Sequence, residues 1–182
     1  MKYIDEYRDK SLVLKISDKI KKTSKKKISL MEVCGGHTHA IHKFGLSSLL
    51  PQTIKLLSGP GCPVCVTSKK FIDQVVAYSK IKDVIITTFG DLVRVPGSFS
   101  TLLKEKARGA DVRIVYSSLD ALDIAKKHNS KKVIFLGIGF ETTAPTTASV
   151  ILNAKQESIK NFFVFSTHKV MPPAMKAIID EG

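Results

Sequence analysis

The sequence predicts an α/β fold of Rossmann-like parallel sheets with flanking helices. Three observations carry that expectation. Short apolar runs alternate with amphipathic stretches about six times along the chain, the rhythm that parallel strands and crossover helices produce. The run Val84-Ile85-Ile86-Thr87-Thr88-Phe89 is almost continuously apolar, as suits a strand covered on both faces. Glycine-bearing turns with cysteine and histidine follow the first two apolar runs, and the ends of strands are where α/β proteins usually keep their chemistry.

Taken in order, residues 3–22 space Ile4, Tyr7, Leu12, Leu14, Ile16 and Ile20 at imperfect helical intervals among charges. One or two amphipathic helices are expected there, ending near the run Lys21-Lys22-Thr23-Ser24-Lys25-Lys26-Lys27. Residues 28–33 form a strand, closed by the turn Cys34-Gly35-Gly36, and 38–49 a helix stopped by Pro51. Residues 52–58 are a second strand, ended by Gly59-Pro60-Gly61. A helix over 68–79 buries Phe71, Ile72, Val75 and Val76. Strand 84–89, a polar loop over 90–98, helix 99–108 with Gly109 as its C′ residue, strand 112–116 and helix 119–128 follow. Strand 132–137, helix 143–157, strand 161–166 and helix 172–180 complete the chain.

A domain break is expected at His128-Asn129-Ser130-Lys131-Lys132. Residues 1–128 would form a first α/β domain carrying the Cys/His motifs, and 129–182 the start of a second, truncated one. Two strands and two helices leave apolar faces uncovered, so the second unit is expected to be incomplete. The two units would face a thiol-lined cleft.

The composition narrows the function classes. The chain has 182 residues, 43% hydrophobic and 25% charged, enough for one ordinary domain or two small ones with a real core. No apolar run approaches the ~20 residues that span a bilayer, and the acidic amino terminus has no signal-peptide core. Three cysteines, an odd number with one C-x-x-C pair, do not read as a secreted disulfide framework, so a reducing cytoplasm is expected. Net charge is +13, but only four of the 29 basic residues are Arg and the aromatics sit mostly in apolar runs. That describes a lysine-coated surface, suited to an acidic protein partner and not to nucleic acid.

All three cysteines and three of the five histidines lie between Glu32 and Cys65. Cys62-Pro63-Val64-Cys65 has the spacing of a redox dithiol or half of a tetrahedral zinc site, and no second ligand pair follows. Pro63 stiffens the loop, and Cys65 is expected just ahead of a helix, whose positive end favours thiolate. Inert buried cysteines are the bland alternative. Cys34 and His37 stand three residues apart, a chelating interval for a transition metal; His39 and His42 follow on the next helix. A Cys–His protease dyad lacks an orienting Asn or Asp. Gly137-Ile138-Gly139-Phe140-Glu141-Thr142 departs from G-x-G-x-x-G at its third glycine, so a tight strand-to-helix turn with Thr142 and Thr143 as capping candidates is expected. The loop from Asp91 to Ser98 either leans over the cysteines or caps the sheet.

Glu32-Val33-Cys34-Gly35-Gly36-His37-Thr38-His39, Gly59-Pro60-Gly61-Cys62-Pro63-Val64-Cys65, Thr88-Phe89-Gly90-Asp91 and Gly139-Phe140-Glu141-Thr142-Thr143-Ala144-Pro145 together resemble the hydrogenase formation family HypD, over essentially the whole chain. The resemblance implies a scaffold for the iron centre of nickel–iron hydrogenases, with its cyanide and carbon monoxide ligands, and not a conventional turnover enzyme. It implies HypC and HypE type partners, Cys34 as iron ligand with His37 close by, and Cys62 and Cys65 as a redox-active dithiol. Family members are longer and carry a [4Fe–4S] cluster on cysteines of a carboxyl-terminal region. Those cysteines are absent here, so a fragment or truncated product is expected, or a missing half supplied by another chain. The rival classes are a stand-alone thiol–disulfide oxidoreductase and an inactive remnant.

Overall fold

The computed structural model of the chain describes residues 5–181. The expected helix start at Tyr3 and Ile4 lies outside them. The fold is α/β with parallel sheets and flanking helices, as the alternation predicts. The chain divides into two compact units between Cys62 and Pro63.

In the first unit a 3₁₀ turn (Glu6–Arg8) leads into α1 (Lys10–Thr23). Asp9 caps this helix by accepting from the Leu12 N–H at 3.0 Å, which satisfies one orphan donor of the first turn. β1 (Ile28–Glu32), α2 (Gly35–Lys43), α3 (Leu46–Leu49) and β2 (Ile54–Ser58) follow. The helix expected over 38–49 starts earlier and is broken. Cys34, in extended backbone, is the N-cap of α2, and Gly45 at φ +61° separates α2 from α3, a left-handed conformation that glycine adopts without penalty. β1 and β2 pair in parallel, with Ile28 opposite Ile54 and Glu32 opposite Ser58. Both carboxyl ends therefore lie side by side.

The second unit contains α4 (Lys69–Ser79), β3 (Val84–Thr88), a 3₁₀ turn (Leu92–Arg94), α5 (Leu102–Ala107), β4 (Asp111–Ile114), α6 (Ser118–Lys127) and β5 (Lys132–Gly137). A second 3₁₀ turn (Glu141–Thr143), α7 (Ala144–Gln156), β6 (Phe162–Ser166) and α8 (Met171–Asp180) complete it. Its strands form one parallel sheet in the order β4-β3-β5-β6. The break expected near 129 therefore falls inside a single sheet: β5 pairs with β3, Ile85 beside Val133, and β6 pairs with β5. Because 132–166 joins strands that precede it, Val133, Phe135, Leu136 and Val150 are buried, while Ile151, Leu152, Phe163, Ile178 and Ile179 stay exposed.

Alternation along the strands supplies both layers of core. Ile86, Val112 and Leu136 cluster with Phe71, Ile72 and Val75 of α4 and Leu102 of α5. Ile85 and Val133 turn the other way, onto Ala125 of α6, and Phe135 packs with Ala121. β3 is buried at every position, as its continuous apolar character requires. Two boundaries move for local reasons. Phe99 is exposed, and α5 begins only after Thr101, whose hydroxyl accepts from the Lys104 N–H at 3.1 Å. β4 ends at Ile114 because the Asp120 carboxylate takes the N–H groups of Tyr116 and Ser117, both at 3.0 Å.

Candidate functional site

In the first unit, β1 delivers Glu32 and then Cys34, and β2 delivers Gly59-Pro60-Gly61. Their parallel pairing continues past the strands, where the Gly59 N–H donates to the Glu32 carbonyl at 2.8 Å. Gly61 then passes directly over the Cys34 turn. A Cβ on Gly61 would stand 2.6 Å from the Cys34 nitrogen and 2.7 Å from the Val33 carbonyl carbon, closer than real Cβ atoms approach backbone. The glycine is required by proximity.

Cys34 carries a free thiol and is partly buried. As N-cap it makes no side-chain capping bond, so the first N–H groups of α2 are not taken by its own cap. A Cβ at Gly36 would lie 3.7 Å from Cys34 Sγ, which places the sulfur over the first turn of that helix. The turn's partial positive charge is a setting suited to a coordinated sulfur. His37 sits on the same turn, largely exposed, with Nδ1 3.1 Å from Glu32 Oε1. His39 and His42 lie further along α2. Among the described residues no group of three or more His, Cys, Asp or Glu stands within metal-binding range. The predicted Cys34 and His37 are brought onto one turn, and a full ligand set is not assembled by these residues.

Cys62, partly buried, is the last residue of the first unit, and Cys65, exposed, is the third of the second. Cys65 lies in a turn held by the Thr67 N–H to the Val64 carbonyl at 3.1 Å and the Thr67 hydroxyl to the Pro63 carbonyl at 2.8 Å. The helix it precedes starts at Lys69, capped by Ser68 at 3.3 Å from the Phe71 nitrogen. Cys65 is thus three residues short of the cap, set off from the first turn of α4 by its own tight turn.

Within the second unit, the loop after β3 caps the sheet. Leu92 and Val93 are buried in the core, and Ser98 donates its N–H and hydroxyl to the Asp73 carboxylate of α4, both at 2.7 Å. Those bonds hold the Asp73 carboxyl below its usual range. The turn after β5 is tight, with Gly139 at φ +159°. The expected capping by Thr142 or Thr143 is not found. The Thr143 hydroxyl donates instead to the Phe140 carbonyl at 3.0 Å, and α7 opens from the 3₁₀ turn without a side-chain cap.

Sequence reasoning passed over His168. The Ser166 hydroxyl lies 2.9 Å from its Nδ1, its ring packs where a Cβ on Gly137 would be 3.0 Å from Cε1, and Nε2 is buried with no hydrogen-bond partner. Burial pushes its pKa below the usual histidine value. Lying in no motif, it gave no signal. Glu32 heads a motif, but nothing in its spacing marked it as the partner of His37.

A family model, HypD, described as the hydrogenase formation hypA family, matches residues 10–182. The chain belongs to the HypD family. Hydrogenase maturation factor HypD of Escherichia coli (strain K12) is 45% identical over the whole chain and half of its own length. HypD2 of Bradyrhizobium diazoefficiens is 46% identical over 99% of this chain and 48% of its own. The Rhodobacter capsulatus HypD is 43% identical over the whole chain and 50% of its own. The chain spans about half the length of the curated relatives it matches. Because the described residues assemble no group of three or more His, Cys, Asp or Glu, they do not fit a [4Fe–4S] cluster. Among the described residues no helix is long and apolar enough to cross a membrane.

Proposed function

We propose that this chain carries the thiol-bearing part of a hydrogenase maturation scaffold, on which an iron centre with cyanide and carbon monoxide ligands is assembled as cargo. Cys34 binds the iron as thiolate, a soft ligand suited to low-spin iron, and His37 is a second ligand or proton acceptor. Cys62 and Cys65 cycle between dithiol and disulfide. Oxidation passes two electrons to the assembling centre and releases two protons to solvent, and a dithiol or glutathione-class reductant restores the thiols. HypC and HypE type proteins are the partners, in a reducing, cytoplasmic setting. Membership of the HypD family supports this reading, and so do the names of the relatives. The observation that supports it is the seating of Gly61, the residue before Cys62, on the Cys34 backbone.

Cys34→Ala should abolish iron retention by the complex with a HypC type partner, and Cys62→Ala should leave much of it. Elemental analysis of anaerobically purified complexes decides. Equal iron in wild type and Cys34→Ala removes Cys34 from the centre. The exposure of Cys65 favours a second reading, a thiol–disulfide oxidoreductase that holds no iron, which absence of iron from both complexes would select.

A further inference from the structure

The geometry points to Glu32 as the positioning residue for His37: its carboxylate accepts a hydrogen bond from the Nδ1–H and leaves Nε2 as the nitrogen presented to a metal bound at Cys34. The part of this inference that concerns metal rests on the reading of Cys34 as an iron ligand.

An ionised carboxylate only accepts hydrogen bonds. At 3.1 Å from Glu32 Oε1, Nδ1 must therefore carry the proton, and in neutral imidazole the lone pair then lies on Nε2. Free imidazole side chains favour the opposite tautomer, so the contact selects a state that His37 would not adopt by default. A carboxylate behind a histidine fixes ring orientation and raises the basicity of the other nitrogen, and losing such a partner typically costs about 10–100-fold in metal affinity.

The fold holds Glu32 for this role. Its backbone is the last pair of the β1–β2 ladder, opposite Ser58, and its carbonyl is bonded again by the Gly59 N–H. A Cβ on Gly59 would stand 2.6 Å from Met31 Sδ and 3.2 Å from the Glu32 carbonyl oxygen, so the close approach of β2 depends on that glycine. On the other side, the Thr38 N–H bonds the Cys34 carbonyl at 2.9 Å, which locks the first turn of α2 and with it His37. The Glu32 side chain is 28% exposed against 72% for His37. The carboxylate is the sheltered member of the pair, and the imidazole is largely exposed.

The test begins without metal. Long-range ¹H–¹⁵N spectra of the reduced, metal-free chain in alkaline buffer, with His37 assigned by His37→Gln, should show the proton on Nδ1. Glu32→Leu should move it to Nε2. Glu32→Gln should retain the Nδ1 tautomer, because its amide oxygen still accepts. A mainly Nε2-protonated His37 in wild type, or a tautomer unchanged in Glu32→Leu, overturns the proposal. The second readout is cobalt(II), followed by its thiolate charge-transfer absorption. Glu32→Leu should weaken binding about 10–100-fold with far-ultraviolet dichroism unchanged, and Glu32→Gln should lie between. Equal affinity in wild type and Glu32→Leu overturns the role toward metal. If the charge-transfer band persists in Cys34→Ala, the reading of Cys34 fails while the tautomer result still judges Glu32.

Discussion

Gly61 has no room for a side chain, and this is the most direct consequence of how its loop meets the Cys34 turn. Both the Cys34 nitrogen and the Val33 carbonyl carbon lie under 3 Å from where its Cβ would be, and backbone cannot swing away as a long side chain can. Gly61→Ala should destabilise the chain by about 1–3 kcal/mol, the usual cost of overpacking, read from urea unfolding, and should speed alkylation of Cys34. An unchanged midpoint and rate would mean that the two loops are not in contact. His168 behaves differently. Because burial holds its folded pKa down, the unfolded chain takes up the proton first as pH falls. Stability therefore rises with pH between the folded value and the ordinary value of about 6.5, and is undiminished above it. Unfolding midpoints should fall as pH drops below about 6.5, and His168→Gln should flatten that part of the profile. Parallel profiles for the two proteins would count against it.

Elements are placed by their ends as much as by their stripes. α6 starts where it does because Ser117 and Asp120 form a reciprocal capping box, with the Asp120 N–H 3.1 Å from the Ser117 hydroxyl. Ser117→Ala should cost about 1 kcal/mol and leave β4 in place, whereas Asp120→Ala also releases the N–H of Tyr116 and should cost more. Thermal unfolding of the pair ranks them, and the reverse order would show that the box does not set the boundary. β5 is the element on which both layers depend, since Val133, Phe135 and Leu136 are fully buried on alternating faces. Phe135→Ala should cost about 3–5 kcal/mol, measured by denaturant titration.

At the scale of the whole molecule, the core is unevenly shared. Among the described residues every fully buried hydrophobic lies between Phe71 and Ala154, and the first unit contributes only Ser17 to the fully buried set. A two-stranded sheet is marginal by itself, and local opening free energy follows buried apolar contact. Limited proteolysis with mass mapping should therefore nick residues 5–62 first and leave a resistant fragment over most of 63–182. A first cut within β5 or β6, with the amino-terminal third protected, would reverse that order.

The alternation of apolar runs with amphipathic stretches was enough to read the α/β class and nearly every strand and helix, because periodicity is local and each element carries its own. The motif residues Cys34, His37, Cys62 and Cys65 were legible for the same reason, since short spacing is a local fact. Sheet membership was not. An apolar run declares that it is a strand without naming its neighbour, so the break expected near 129 gave way once β5 paired with β3. The bond from Glu32 to His37, the seat of Gly61 on Cys34 and the buried nitrogen of His168 were equally out of reach. Each depends on where two chain segments meet or on what surrounds an atom, and only the folded chain decides that.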